Sequence, residues 1–130
     1  MKTAKDLMTS PAECLAPDET VVTAARMLSK YDVGSMPILD GDTLVGVVTD
    51  RDIVVQAIAK GLDPATTPVT DIANTNVVTV ESSAPASEVA ALMAEHQVRR
   101  LPVVDGGKVV GVVAQADVAR DLDEATTGEV

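Results

Sequence analysis

The amino-acid sequence predicts an α/β (α+β) domain built from two copies of one β-α-β-β-α unit. The first observation behind this prediction is an internal repeat: shifted by 65 positions, residues 6–53 fall on residues 71–118 without a gap. The second is that both copies carry the same order of apolar segments, helical stripe and Asp-Gly pair. Two copies are too few for a solenoid. We therefore expect two half-domains packed face to face around a pseudo-twofold axis.

Each copy opens with a short apolar segment and continues into an amphipathic helix. The segments ECLA (13–16) and VVTV (77–80) are interpreted as first strands. In the stretches 19–31 and 85–96, apolar residues recur at the spacing of one helical face. These stretches are therefore predicted to form the first helix of each copy.

A β-hairpin follows in each copy. The Asp-Gly pairs at 40–41 and 105–106 are strong hairpin signals between apolar strands. The strands before them, MPILD and LPVVD, each contain a proline, which favours a position at the sheet edge. The strands TLVGVV and KVVGVV come next, and a last helix is predicted over 50–60 and near 115–122.

These elements divide the chain into four parts. Gly61 and two nearby prolines indicate a break between the copies. We assign residues 1–61 to repeat 1, 62–70 to a linker, 71–122 to repeat 2 and 123–130 to a flexible acidic tail.

Composition and charge exclude several classes of function. The chain has one Tyr and no Trp or Phe, so it cannot build the aromatic platform of single-stranded nucleic-acid binders. Its formal net charge is −10, and an acidic surface is repelled by phosphate backbones and by anionic lipid. We expect neither a nucleic-acid nor a membrane partner.

The cysteine count and the hydropathy indicate a compartment. A single cysteine, Cys14, cannot form an internal disulfide, which favours a reducing environment. No apolar run approaches the roughly 18 residues of a membrane span, and the N-terminus has no continuous apolar stretch like that of a signal peptide. We expect a cytoplasmic protein in which Cys14 is buried in a strand and inert; the alternative is an inter-chain or redox role for this cysteine.

The two copies resemble a known family. The segments YDVGSMPILDGDTLVGVVTDRDIV and HQVRRLPVVDGGKVVGVVAQADVA are similar to the cystathionine-β-synthase (CBS) domain, and their tandem arrangement resembles a Bateman module. The chain is also similar to small stand-alone CBS-pair proteins of actinobacteria, some of which are named hypoxic-response proteins. The resemblance implies a regulatory module. It would sense an adenosine-containing ligand (AMP, ADP, ATP, S-adenosylmethionine or NAD) in the cleft between the repeats.

Thr49 and Asp52 form the sharpest candidate site. The resemblance implies that the Asp52 carboxylate accepts the two hydroxyls of a ribose and that Thr49 reaches the sugar or an α-phosphate. A second interpretation needs no ligand, because Thr-x-x-Asp at the start of a helix also resembles a capping box. Such a box would stabilise the helix by about 1 kcal/mol. Both interpretations stay open here.

The second copy keeps only the aspartate, Asp117, because Ala114 stands where Thr49 stands in the first. Alanine is a poor N-cap, so reciprocal capping does not explain why the acid is repeated. The helix dipole alone would favour an acid there by about 0.3–1 kcal/mol. We interpret Asp117 as a degenerate second ribose site.

Arg99 and Arg100 offer planar donors suited to phosphate oxygens. The resemblance implies that they reach the phosphates of a nucleotide bound at the site of the first repeat. Gly34 and Ser35 occupy the equivalent positions of the first repeat and carry no charge. We therefore expect one competent site rather than two. The alternative role of the arginines is surface ion pairing with nearby carboxylates.

The base of a nucleotide would need an aliphatic slot, since no aromatic ring is at hand. Backbone groups of residues 34–36 would then recognise the edge of the base. The residues proposed for this slot and its rim are Val33, Gly34, Ser35, Met36, Pro37, Ile38 and Val48. The alternative is that these residues belong to the core.

Enzyme activity is not expected. No nucleophile–base pair or phosphate-cradling glycine loop is recognisable, and Cys14 and His96 make no recognisable metal-ligand set. We expect no metal and no required cofactor. The first hypothesis is a regulatory module that binds an adenosine-containing ligand and acts through contact with a separate, unidentified protein. The second is a structural or interaction homodimer whose cleft has lost its ligand.

The predicted helix DIVVQAIAKG (52–61) indicates a homodimer. It is apolar on nearly every side, which is typical of a helix buried on more than one face. Part of this burial can come from the other repeat, and we expect the rest to come from a second chain.

Overall fold

The computed structural model describes residues 2–128, with side chains described through residue 124. Contacts divide the chain into two compact units. The first-repeat unit is Glu13–Val77, and the second-repeat unit is Met1–Ala12 together with Val78–Val130. In chain order, the elements are α1 (Ala4–Leu7), α2 (Val21–Tyr31), β1 (Ser35–Asp40), β2 (Thr43–Thr49), α3 (Asp50–Asp52), a π-helical segment (Ile53–Ile58), a 3-10 turn (Val69–Asp71), β3 (Val80–Glu81), α4 (Ala86–His96), β4 (Arg100–Asp105), β5 (Lys108–Ala114) and α5 (Gln115–Gly128).

Each unit is built around an antiparallel hairpin, and the predicted mixed α and β architecture is confirmed. β1 pairs with β2 and β4 pairs with β5. The two registers match position for position after the 65-residue shift, including an irregularity that follows Ile38 in one hairpin and Val103 in the other. Each hairpin has two residues between its strands, and these two residues directly follow the aspartate of the predicted Asp-Gly pair.

The first strands are shorter than the sequence predicts. β3 pairs in parallel with β4, but in ECLA only Leu15 forms a bridge, to Ile38. Pro102 lies in β4, the middle strand of three, and not at the predicted sheet edge. The proline is tolerated because β3 pairs only with the two residues that follow it, so its missing N–H interrupts no parallel pair.

The opening segment of each sequence repeat packs in the unit of the other repeat. α1 belongs to the second-repeat unit, although the sequence division assigned residues 1–61 to repeat 1. The 3-10 turn belongs to the first-repeat unit, although the sequence division placed it at the end of the linker and the start of repeat 2. Sequence repeats and packed units therefore differ at their starts.

Two glycines leave room for these opening segments. A Cβ atom on Gly46 would lie 2.8 Å from the carbonyl oxygen of Asn74, and one on Gly111 would lie 2.7 Å from that of Thr9. The backbone of another segment can approach a strand this closely only where the strand residue has no side chain. Close approach at the same position of both hairpins explains why a glycine occurs at that position in both copies.

The core of each unit is aliphatic, as the composition predicts. A small set of fully buried side chains comes from the helix, the hairpin and the opening segment of each unit. In the first-repeat unit the largest are Leu15, Val21, Met36, Ile38, Val48 and Val69; in the second-repeat unit they are Val89, Met93, Leu101, Val103, Val113 and Val118.

The acidic end of the chain is helical where the sequence predicts a flexible tail. α5 continues to Gly128, past the predicted end of repeat 2 at residue 122. Leu122 packs against the second-repeat core, and no proline or glycine interrupts the helix before its last residue. The rest of the predicted tail, residues 129–130, lies outside the described residues.

Candidate functional site

Thr49 and Asp52 form a capping box at the start of α3. The backbone N–H of Asp52 donates to Thr49 Oγ1 at 3.0 Å, and the backbone N–H of Thr49 donates to Asp52 Oδ2 at 3.0 Å. Both side chains are half-buried. The box uses one carboxylate oxygen of Asp52, so the geometry satisfies the capping interpretation without using up the carboxylate.

The hairpin fixes where this helix begins. Ser35 pairs with Thr49 at the open end of β1 and β2, and the backbone N–H of Asp50 donates to the carbonyl oxygen of Gly34 at 3.0 Å. The chain therefore leaves the sheet directly into the capped turn. Thr49 and Asp52 sit beside the start of β1, next to the predicted rim residues Gly34 and Ser35.

Asp50 is a second carboxylate at this position that the sequence analysis missed. Its Oδ1 accepts from the N–H of Arg51 at 2.8 Å, and its Oδ2 would lie 3.4 Å from a Cβ placed on Gly34. The exposed Asp50 thus lies over Gly34 and adds negative charge beside Asp52. Its place as the first residue of the motif helix was the signal in the sequence.

The second copy repeats the backbone arrangement but not the side chains. The backbone N–H of Gln115 donates to the carbonyl oxygen of Arg99 at 2.7 Å, which is the equivalent of the Asp50–Gly34 bond. Ala114 has no hydroxyl to accept from the N–H of Asp117. The Asp117 carboxylate instead pairs with the guanidinium of Arg120, three residues further along α5.

Arg120 is also a residue that the sequence analysis missed. Its i, i+3 spacing from Asp117 on a predicted helix was the available signal, because residues at that spacing face one another. In the first repeat the equivalent position is Val55, which cannot form such a pair.

The residues predicted to form the base slot differ in how far they are buried. Met36, Pro37, Ile38 and Val48 are buried, and all but the proline belong to the first-repeat core cluster. Val33 and Ser35 are half-buried and Gly34 is exposed. The core interpretation therefore holds for the aliphatic part of the predicted slot, because four successive residues of β1 are buried and both faces of the strand are covered. Only its rim is open.

Arg99 and Arg100 lie at the start of β4, in the second-repeat unit. Arg99 is exposed, and Arg100 is half-buried and pairs across the hairpin with Ala114. Their guanidinium groups make none of the ion pairs recorded among the described side chains. The predicted alternative, pairing with neighbouring carboxylates, thus has no support from the packing of this unit.

Cys14 is half-buried and lies outside any strand, so the prediction of a cysteine buried in a strand is wrong. Burial raises the pKa of its thiol, and the carboxylates of Glu13 and Glu19 raise it further. Since the thiolate is the reactive form, the thiol is disfavoured as a nucleophile at neutral pH. His96 ends α4 with its Nε2 3.9 Å from Glu95 Oε2.

Comparison with known proteins identifies the family of this chain. The CBS domain profile matches residues 4–57 and 69–124. Over 125 residues, the chain is 42% identical to Hypoxic response protein 1 of Mycobacterium tuberculosis (strain CDC 1551 / Oshkosh), covering 95% of this chain and 87% of the relative. Two matched domains with the same hairpin and helix start define the class: a tandem CBS pair. This chain belongs to the CBS-domain family.

Solved structures agree with this assignment. Hypoxic Response Protein I, solved with two coordinated zinc ions, has a TM-score of 0.84 and 41% identity, covering 92% of this chain and 98% of that one. CBSX2 in complex with AMP has a TM-score of 0.83 and 29% identity, covering 97% and 99%. The CBS pair of protein MJ0100, in complex with 5′-methylthioadenosine and S-adenosyl-L-methionine, has a TM-score of 0.80 and 28% identity, covering 96% and 98%.

Among the described residues, no group of three or more His, Cys, Asp or Glu side chains could hold a metal ion, so these residues do not fit a zinc site of the usual three or four ligands. Within that same part of the chain, no helix combines the length and apolarity needed to cross a bilayer.

Proposed function

We propose that this CBS pair is a regulatory module that binds an adenosine-containing ligand at the Thr49–Asp52 motif of its first repeat. The bound state is transmitted through contact with another protein. CBS pairs are in general regulatory rather than catalytic, and we propose no enzymatic activity and no required cofactor. The single cysteine favours the cytoplasm as its location.

The observation that carries this proposal is the orientation of Asp52. The capping box holds Oδ2 against the N–H of Thr49 and thereby fixes the carboxylate at the open end of the hairpin. The second oxygen and the remaining lone pair can accept the two hydroxyls of a ribose. A carboxylate that is already oriented loses little entropy on binding.

The neighbours support the class of ligand. CBSX2 was solved with AMP, and the pair of MJ0100 with 5′-methylthioadenosine and S-adenosyl-L-methionine. All three compounds contain adenosine. The family resemblance, and not the packing within either unit, is what assigns Arg99 and Arg100 to the phosphates of such a ligand.

The second repeat lacks some of the side chains that form the proposed site of the first repeat. Thr49 has been replaced by Ala114 in the second repeat, and Gly34 and Ser35 provide no charge where the second repeat provides two arginines. We propose that the chain binds one ligand per monomer. Asp117 marks the position that a second ligand would need.

The module is proposed to work as a homodimer. Four of the five large apolar side chains that are exposed among the described residues lie close together in sequence, at and after the π-helical segment: Val54, Val55, Ile58 and Leu62. Val54 is 59% exposed and Ile58 is 56% exposed. A second copy of the chain would cover such a surface.

A structural homodimer without a ligand is the second candidate function. The specific observation in its favour is that the capping box accounts for both Thr49 and Asp52 through helix stability alone. The burial of Met36, Ile38 and Val48 in the core also removes the aliphatic walls that a base would contact.

Thermal unfolding with added ligands separates these two functions. AMP, ATP, S-adenosylmethionine and NAD are tested against CMP, which has ribose and phosphate but no adenine. A ligand at a hundredfold its dissociation constant stabilises the protein by about 2.7 kcal/mol. We expect such a shift with at least one adenosine compound and not with CMP. If every adenosine compound leaves the transition unmoved, the sensor function is wrong.

Substitutions then locate the site. Asp52→Asn keeps an oxygen that can accept from the N–H of Thr49 but removes the charged acceptor pair, so it should abolish the ligand shift while the protein stays folded. Asp117→Asn is the matched control at the equivalent position and should leave the shift intact. Equal loss in both variants would contradict a single site in the first repeat.

A further inference from the structure

The two motif aspartates differ in what their carboxylates contact. In the first repeat, Asp52 is held by the backbone N–H of Thr49, the residue that caps its helix. In the second repeat, Asp117 Oδ1 receives the Nη2 donor of Arg120 from the next turn of the same helix. The same residue type at equivalent positions is therefore oriented by a neutral backbone donor in one copy and by a cation in the other.

The residue that makes this difference is unique to the second repeat. Shifted by 65 positions, Arg120 falls on Val55, an apolar residue on the π-helical segment. The first repeat can therefore form no equivalent ion pair. Its motif aspartate has no basic residue one turn further along the helix.

The surroundings of Asp117 are polar and crowded with charge. A cleft of about 260 Å³ within the second-repeat unit is lined by Lys2, Asp6, Asp117, Arg120 and Asp121, among others. Lys2 Nζ lies 3.9 Å from Asp121 Oδ1, beside the Asp117–Arg120 pair. The cleft is smaller than the roughly 300–1,000 Å³ of pockets that bury a small molecule. The guanidinium of Arg120 takes up part of the space next to the carboxylate.

We infer that Arg120 weakens ribose binding at the second repeat by engaging the carboxylate of Asp117, and that, together with the hydroxyl missing at Ala114, it leaves Asp52 as the stronger of the two motif acceptors. This inference rests on the proposed function, since it explains which of two equivalent motifs serves the ligand. The bond from Arg120 Nη2 to Asp117 Oδ1 is charge-assisted, whereas Asp52 Oδ2 accepts from the neutral backbone N–H of Thr49, so ribose hydroxyls compete less well for the carboxylate of Asp117.

The Arg120–Asp117 ion pair is expected to have only a small effect on ligand affinity. Arg120 is 63% exposed and Asp117 is 33% exposed, and an ion pair in water of this kind changes affinity by at most about fivefold. Arg120→Val alone, which copies the first repeat at this position, is therefore expected to reveal a weak second binding event. Restoring the hydroxyl with Ala114→Thr as well should rebuild the capping box around Asp117 and strengthen that event.

Isothermal titration calorimetry with AMP and, separately, S-adenosylmethionine measures the number of ligands per chain. The wild type is compared with Arg120→Val, with Ala114→Thr and with the double variant. Lys108→Val is the matched control, because it removes one exposed positive charge from the same unit without touching Asp117. Circular dichroism confirms that each variant is folded.

We expect one ligand per chain in the wild type and in Lys108→Val, and two in the double variant, the second being abolished by a further Asp117→Asn substitution. One ligand per chain in the double variant would overturn the inference, as would a second ligand bound by Ala114→Thr alone as tightly as by the double variant, and either result would leave the proposed function standing. Two ligands in the wild type would also overturn it.

A wild type that binds neither compound would contradict the proposed function. In that case the inference stands only if the double variant gains a ligand that Asp117→Asn removes, and it falls if the double variant binds nothing.

Discussion

Thr9 and Val112 exchange two backbone hydrogen bonds, with N···O distances of 2.8 and 3.1 Å. The equivalent pair after the 65-residue shift, Asn74 and Val47, exchanges two bonds of 2.9 Å. In both cases a segment that opens one sequence repeat completes the sheet of the unit formed by the other repeat. This crossed pairing has consequences for stability that contiguous repeats would not have.

Replacement of the crossing glycines is expected to destabilise the protein. A Cβ on Gly111 would lie 2.6 Å from Met8 Sδ and 2.7 Å from the carbonyl oxygen of Thr9, and one on Gly46 would lie 2.8 Å from that of Asn74. Overpacking against backbone costs about 1–3 kcal/mol, so Gly46→Ala and Gly111→Ala should lower the free energy of unfolding by that amount. Urea denaturation measures it.

Gly34→Ala is the matched control for these two variants. Its Cβ would meet Asp50 Oδ2 at 3.4 Å, which is ordinary contact with a movable side chain. We expect less than about 0.5 kcal/mol of change. If Gly34→Ala lowers the free energy of unfolding as much as Gly46→Ala and Gly111→Ala do, close backbone approach is not the cause of the destabilisation.

Removal of residues 1–12 is expected to unfold the second-repeat unit rather than the repeat to which the sequence assigns them. Ala4 is fully buried in the second-repeat core, and its N–H donates to the carbonyl oxygen of Ala84 at 2.8 Å. Without this segment the unit loses part of its core and the partner of Val112. Amide hydrogen exchange should therefore show lost protection in residues 78–118, with protection retained in residues 13–77.

The point variant Ala4→Asp tests the same relationship in the full-length chain, since it places a charge in the second-repeat core. Lys5→Asp, on the exposed face of the same short helix, is its control. Lost protection confined to the first-repeat unit would contradict the crossed packing.

Because a capping box is present in the first repeat and absent from the second, opposite substitutions in the two repeats are expected to change the free energy of unfolding in opposite directions. Thr49→Ala removes the hydroxyl that accepts from the N–H of Asp52, and should cost about 1 kcal/mol of unfolding free energy. Ala114→Thr supplies the missing hydroxyl in the second repeat and should stabilise by a similar amount. Denaturant midpoints of the two variants are the measurement, and shifts of the same sign would contradict the assignment of a cap to this position.

The exposed apolar face of the π-helical segment should control assembly. Val54→Asp and Ile58→Asp place a charge where the proposed homodimer buries an apolar side chain. Each such side chain left in water forfeits about 1.5–3 kcal/mol, so the double variant should weaken the dimer at least about a hundredfold. Sedimentation equilibrium measures this shift.

Tyr31→Asp provides the control for assembly. Among the described side chains, Tyr31 is also a large, exposed apolar residue, but it lies on α2, away in sequence from the π-helical segment. The substitution should leave the association constant unchanged. A wild-type chain that sediments as a monomer at every concentration would show that this face is covered by something other than a second copy.

Prediction from the sequence succeeds where the determining interactions are local. The helical stripes, the Asp-Gly hairpins and the Thr49–Asp52 box depend on residues within a few positions of one another, and their positions were correct to within one or two residues. The end of α5 was placed too early, because an acidic composition suggested fraying while packing of Leu122 continues the helix.

The sequence by itself determined the number of repeats, the order of their elements and the family to which the chain belongs, since all three are written in spacing and residue type. Tertiary structure alone decided which opening segment completes which sheet, and why a glycine is required there, because that pairing joins residues about one hundred positions apart in the case of Thr9 and Val112. It also decided that Met36 and Val48 belong to the core, since a strand's periodicity shows which residues share a face but not what covers that face.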